Sequence, residues 1–166
     1  MSEITQKMDS RRVFTETLIE LAEKDKDIVW VVCDVGFNYV DEFRKRFPDR
    51  FFNFGVTEPT STIISAGLAL KGKKVWFYSM INFVTTRVHE QIRNAIVKHG
   101  ADVKLLGVKG SDHYRMLGFS HNLLWDNEEV EWLSKLMPCH LPKSNEEVKQ
   151  AVLSAYESGK PAYIRL

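Results

Sequence analysis

Residues 51–79, FFNFGVTEPTSTIISAGLALKGKKVWFYS, decide the fold. The aromatic run FFNF reads as a short strand. Glu58 to Leu70 reads as a helix that carries small residues at Ser65, Ala66, Gly67 and Ala69. Gly72 stops it, as glycine does just beyond a helix end. KVWFYS, from Lys74, then reads as a second strand. Strand, helix and strand in that order is the repeating unit of a parallel sheet. Glu58 stands out, a charge at the mouth of an apolar helix and directly before Pro59. The local explanation is a first-turn acid that offsets the positive end of the helix dipole, with Pro59 at a position that suits it.

The same alternation runs outward in both directions. Upstream, RRVFTETLIELAEK places Phe14, Leu18, Leu21 and Ala22 at helical spacing. IVWVV, from Ile28 to Val32, is a continuous apolar run, the mark of a strand buried on both faces. CDVGF follows as a loop, and VDEFRKRFP reads as a short helix stopped by Pro48. Downstream, Asn82 to Lys98 reads as one long helix ending at Gly100, and VKLLGV, from Val103 to Val108, as another buried strand. A long irregular segment, KGSDHYRMLGFSHNLLW, comes next. Asp126 and Glu129 give a cap-like start to the helix NEEVEWLSKLM, and Ser144 with Glu147 forms a capping-box pattern before the last helix. AYIRL closes the chain as a strand. The expected fold is α/β, a single three-layer domain over residues 1–166, with a mostly parallel sheet and helices on both faces. Residues 1–9 are expected to be disordered. Ligands of such sheets sit at the carboxyl ends of the strands. The loops at Asp34, at Gly55 to Glu58, at Ser79 to Phe83 and at Lys109 to His121 should therefore share one edge.

Bulk properties exclude several classes. At 166 residues the chain has a one-domain length, and its formal charge of +1, without acidic or basic blocks, argues against nucleic acid. The N-terminal MSEITQKMDSRR lacks the apolar core of a secretory signal. No apolar run approaches the roughly 20 residues that span a bilayer, so no membrane partner is expected. Cys33 and Cys139 are far apart and read as free thiols, which fits a reducing cytoplasm. There is no HExxH, CxxC, P-loop or GxGxxG pattern. Of the five histidines, His113 and His121 differ in lying within the long irregular segment, and such loops are usually functional.

The run from Arg50 to Ile96 resembles the pyrimidine-binding domain of transketolases and of the related deoxyxylulose-phosphate synthases. The resemblance rests on Arg50-Phe51, Gly55, Glu58, Ala66 to Ala69, Gly72 to Lys74, Phe83, Arg87 and Gln91 to Asn94, all in the family's order and spacing. It extends from Asp34 to the closing PAYIRL. It implies the thiamine-diphosphate pyrimidine-binding fold and thiamine diphosphate as cofactor. By that resemblance Glu58 is catalytic: it hydrogen-bonds the ring nitrogen of the aminopyrimidine and favours the imino tautomer, which deprotonates the thiazolium carbon. Such a carboxyl must hold a proton near neutral pH, and burial against apolar walls raises a carboxyl pKa. Phe83 matches the phenylalanine that stacks on the aminopyrimidine, and Met80 falls where another pocket residue lies. His121, in Ser120-His121-Asn122, matches the histidine of the family's T-H-Q motif and is expected to bond a substrate or intermediate hydroxyl. Lys109, Asp34 and Asn38 align with substrate-side positions. Taken alone, Asp34 and Asn38 also read as a solvated loop acid and a turn asparagine, and Met80 as core filler.

One departure bears on substrate. The family's G-E-D-G reads Arg115-Met116-Leu117-Gly118 here, so Leu117 stands where an acid would hold a sugar hydroxyl. The expected substrates are therefore modified, deoxy or nucleotide-linked sugars rather than the common pentose and hexose phosphates. The family's diphosphate-binding glycine-aspartate-glycine motif is absent from the chain. The resemblance thus implies a companion chain that binds the diphosphate and its Mg2+ or Ca2+, in an α2β2 heterotetramer, with the apolar helix Ser61 to Leu70 as interface. Packing of that helix on its own sheet fits the pattern equally well. Two alternatives stay open: a carboligase of the same cofactor class with a 2-keto acid donor, and a non-catalytic regulatory module of the same fold.

Overall fold

The computed structural model describes residues 9–108, 115–123, 125 and 127–166. Among them six strands form one sheet in the order β2-β1-β3-β4-β6-β5, and every neighbouring pair is parallel. The strands are β1 (Ile28–Val32), β2 (Phe51–Asn53), β3 (Lys74–Met80), β4 (Val103–Val108), β5 (Cys139–His140) and β6 (Ala162–Arg165). The helices are α1 (Ser10–Lys24), α2 (Asp41–Arg46), α3 (Glu58–Leu70), α4 (Ile81–Val84), α5 (His89–Gln91), α6 (Glu128–Leu133) and α7 (Asn145–Ser158). No helix among the described residues is long and apolar enough to cross a membrane.

Period-two alternation along the buried strands builds two cores, one on each face. Trp30, Val32, Trp76, Tyr78, Leu106 and Ile164 meet α1, α2 and α7 on one side. Val29, Val31, Phe77, Val103, Leu105 and Tyr163 meet α3, α6 and the helical segment after β3 on the other. Both faces are covered, as a parallel sheet requires. α1 is capped by Asp9, whose carboxylate accepts from the Arg12 N–H. α7 is capped by Ser144, which accepts from the Glu147 N–H at 3.2 Å. The Glu147 carboxylate returns to the Lys143 N–H rather than to that of Ser144.

Two expected elements differ. The long helix over 82–98 is broken. α4 ends at Val84, Thr85 leaves the helical region (φ −123°, ψ −84°), a 3-10 turn spans Thr86–Val88, and α5 continues into a π-helix at Ile92–Val97. The core residues Val84, Val88, Ile92 and Ile96 explain the break. They recur every four residues, and a 3.6-residue helix would rotate each by about 40° relative to the last. The π turns, with longer bonds such as Lys98 N–H to the Arg93 carbonyl, take up that drift. The Thr85 hydroxyl bonds back to the Ile81 carbonyl at 2.6 Å. The second difference is at α6, which spans only Glu128–Leu133. Glu129 does not cap it but is fully buried against β6; Asp126 lies outside the described residues. β5 is an edge strand of two residues, too short to carry a pattern.

Gly107 on β4 is required by its neighbour. A Cβ there would lie 2.5 Å from the Tyr163 hydroxyl oxygen and 3.1 Å from Ile81 Cγ1. Tyr163 is fully buried, so it has little room to give. Gly107→Ala is expected to cost about 2 kcal/mol and to lower the melting temperature by about 4–8 °C, read by thermal denaturation of the chain.

Candidate active site

β1 and β3 are neighbours whose onward connections leave toward opposite edges of the sheet, β1 to β2 and β3 to β4. A crevice opens at such a switch point, beyond the strands' carboxyl ends. A cavity of about 780 Å³ sits there. Cys33, Asp34, Asn38, Glu58, Met80, Phe83, Leu117 and His121 all line it, so the loops expected to share one edge converge. Lys109 and His113 lie outside the described residues.

Glu58 is the first residue of α3 and is 2 % exposed. Its Oε2 accepts a hydrogen bond from Arg87 Nη1 at 3.0 Å. The Arg87 guanidinium carbon in turn lies 3.5 Å from the centroid of the Phe83 ring. The His121 ring meets that of Phe83 at 5.0 Å, edge-on at 70°. Acid, guanidinium, phenyl ring and imidazole thus form a continuous row along the cavity. Phe83 and Met80 line the same cavity as the acid, but the group that touches the carboxylate is a cation, Arg87. The reason is physical, since a carboxylate this buried needs a charged partner. Among the described residues the Glu58 carboxylate bonds Arg87 and no N–H of its own helix, so it does not act as a cap.

The loop after β1 is set by backbone conformation. Asp34 (φ 50°), Gly36 (φ 93°) and Asn38 (φ 68°) are all left-handed. Aspartate and asparagine tolerate that region better than other side-chain-bearing residues. Gly36 is needed outright, because its Cβ would lie 2.9 Å from Val40 and 3.1 Å from Tyr78. The Asp34 N–H donates to Asn53 Oδ1 at 2.9 Å and the Asn38 N–H to Asp41 Oδ2 at 3.2 Å, which fixes both residues beside the cavity. Both residues are exposed where they line the cavity, Asp34 as a loop acid and Asn38 as an asparagine in a left-handed turn position.

Arg11 and Arg12 also line the cavity, which local pattern does not announce. Arg11 lies 3.9 Å over the Tyr39 ring and donates to its hydroxyl at 2.9 Å. A signal is nonetheless present, since two arginines open α1, and cations are disfavoured at that end of the dipole. His121 sits in a 3-10 turn, Phe119–His121, with Nδ1 3.0 Å from the Ser120 hydroxyl. The Asn82 side-chain amide donates to the Ser120 carbonyl and ties this turn to α4. Burial pushes the Cys33 thiol up, against the opposing hydrogen bond to Ser61, so it stays protonated and is a poor nucleophile. Among the described residues no three histidine, cysteine or acidic side chains gather to hold a metal. The cavity thus presents an aromatic ring at Phe83, the thioether of Met80 and one buried acid paired with Arg87.

Residues 6–166 match the family described as transketolase, pyrimidine binding domain. The chain is 35 % identical over 160 residues to a subunit of the apulose-4-phosphate transketolase of Phocaeicola vulgatus, covering 94 % of this chain and 50 % of that one. It is 30 % identical over 161 residues to 1-deoxy-D-xylulose-5-phosphate synthase of Aquifex aeolicus, covering 92 % and 24 %. Among solved structures, a split gene transketolase described as an inactive beta4 tetramer superposes with a TM-score of 0.81 at 29 % identity, over 95 % of this chain and 50 % of that one. The chain thus spans about half the length, or less, of the curated relatives it matches.

Proposed function

The chain belongs to the transketolase pyrimidine-binding domain family, and from that premise we propose that it is the pyrimidine-binding half of a two-chain, thiamine-diphosphate-dependent enzyme that transfers a two-carbon ketol unit between sugar substrates. The observation that carries this reading is Glu58, a buried acid at the wall of a cavity that also presents the Phe83 ring. Phe83 and Met80 fit one face of an aminopyrimidine, and Glu58 fits a hydrogen bond with a ring nitrogen, where it holds or releases a proton. Arg87 fixes the direction of that carboxylate. Thiamine diphosphate, when bound, supplies a carbon nucleophile that adds to substrate carbonyls.

The substrate side rests on the residues farther out. With Nδ1 engaged by Ser120, His121 keeps Nε2 for a substrate hydroxyl. Arg11 and Arg12 suit an anionic group such as a sugar phosphate, with Asp34 and Asn38 beside them. Leu117 lines the cavity half-exposed, where the family carries an acid. A modified or deoxy sugar derivative is the substrate class this favours. Low activity with xylulose 5-phosphate and ribose 5-phosphate is expected. Leu117→Asp should raise kcat/KM with this pair about tenfold, since one regained hydrogen bond contributes about 1.5 kcal/mol. Steady-state kinetics check it.

A companion chain completes the reading: it binds the diphosphate and its Mg2+ or Ca2+, in an α2β2 assembly in the cytoplasm. Three observations support it. No three histidine, cysteine or acidic side chains gather among the described residues to hold a metal. α3 turns Ile63 and Leu70 outward, 56 % and 57 % exposed, as an unpartnered apolar face would. Both cysteines are free, which suits a reducing compartment. The test mixes the chain with a companion bearing the diphosphate-binding domain, thiamine diphosphate and Mg2+, and analyses products from ketose-phosphate and pyruvate donors. Two-carbon transfer from the ketoses is expected; pyruvate decarboxylation without ketol transfer would instead favour the carboligase alternative.

A further inference from the structure

The buried acid Glu129 has no part in the site as described, yet it is the most enclosed carboxylate among the described residues, with no exposure at all. One of its oxygens, Oε1, accepts from the Tyr163 hydroxyl at 3.0 Å, from Arg165 Nε at 2.7 Å and from Arg165 Nη2. Arg165 Nη1 also donates to Asn127 Oδ1 at 2.9 Å, and Asn127 is held left-handed at φ 63°. The other oxygen, Oε2, meets no donor among the described residues. Burying a charge with half of its acceptor capacity unused is expensive, and packing alone would favour an apolar residue. Burial, then the Glu129 charge, keeps the Tyr163 phenol protonated, so its O–H donates to Glu129.

The placement gives the cluster a role. Glu129 and Asn127 stand at the exit of the segment, 109–127, that carries Leu117 and His121. Gly107 stands just before its entrance, packed under the Tyr163 hydroxyl, and its carbonyl accepts from the Leu166 N–H at 2.8 Å. Gly107, ahead of the segment, and Asn127, at its exit, are therefore both tied to one strand, β6. Its middle is tied to α4 through Asn82 and Phe83. We propose that Glu129, clasped by Arg165 and Tyr163, is a positioning residue that sets the place of His121 over Phe83. The inference rests on the reading of His121 as a substrate-facing residue, and it explains why an acid is kept where a hydrophobe would pack.

Two aromatic contacts allow the proposal to be tested on the chain without substrate. His121 lies 5.0 Å from the Phe83 ring and reports the segment's middle, while His89 lies 4.2 Å from the Trp132 ring and reports the packing of α6. Each gives its imidazole protons a ring-current offset in NMR spectra, assigned with His121→Gln and His89→Gln. In Glu129→Gln, His121 is expected to lose most of its offset while His89 keeps its own. Arg165→Lys, which keeps the charge but not the planar fork, should do the same and carries the test if the first variant does not fold. An unmoved His121 overturns the proposal. So does movement of both histidines, which would make Glu129 a general support of α6. Absence of ketol transfer in the assembled enzyme would count against the proposed function without touching this result.

Discussion

Glu58→Gln is expected to lower kcat of the assembled two-chain enzyme by about a thousandfold, the middle of the range for removing a general acid–base group. That corresponds to about 4 kcal/mol of transition-state stabilisation. The amide has nearly the shape of the carboxyl and can still accept from Arg87 through its oxygen. It cannot take up or release a proton at a pyrimidine nitrogen. The fold should survive, because α3 is not capped by this side chain. Glu58 occupies a position where Pro59 already presets the helix, and the helix is held by buried Ser61, Thr62, Ser65 and Ala66. Thermal melting of the isolated chain should therefore change little, while turnover collapses. Turnover within tenfold of the unsubstituted protein would remove Glu58 from its proposed role.

Much of the fold is legible because its strands are buried on both faces. IVWVV and VKLLGV are unbroken apolar runs, and α3 is bounded by Pro59 and Gly72, so these elements have the extents the sequence suggests. The segment after β3 departs from its pattern for a specific reason. Val84, Val88, Ile92 and Ile96 look like one helical stripe, and the pattern does not reveal that a four-residue spacing is served by π turns and a break at Thr85. β5 consists of two residues, too few to show a period.

The site divides along similar lines. Glu58, Phe83, Met80, Asp34, Asn38 and His121 meet at one cavity because they end or follow strands that point the same way. What the chain hides is which charges meet. Arg87 is visible as a motif residue, but its bond to Glu58 joins positions 29 residues apart. Arg11 reaches the cavity from the first helix, and Glu129 reads as a cap because its partner Arg165 is 36 residues away. Local pattern gives the period of an element and the chemistry of its residues. It does not give the pairing of side chains across the edge of a sheet.

The last expected result concerns the chain on its own. With thiamine diphosphate and Mg2+ but no companion, it should show no ketol transfer and no calorimetric binding at ordinary micromolar concentrations; adding the companion should switch on both. Most of the free energy for holding such a cofactor comes from a metal-bridged diphosphate, which needs clustered oxygen ligands. Among the described residues no three histidine, cysteine or acidic side chains gather to hold a metal. On the proposed reading the chain contributes a ring face at Phe83 and one hydrogen bond at Glu58, and Arg87 already bonds that acid. A hydrogen bond that merely replaces another contributes little net affinity. On the proposed two-chain reading, the acid acts on a ring delivered to it rather than capturing one. Stoichiometric micromolar binding by the isolated chain, or turnover without a companion, would show that this cavity holds the whole cofactor and would overturn the two-chain reading.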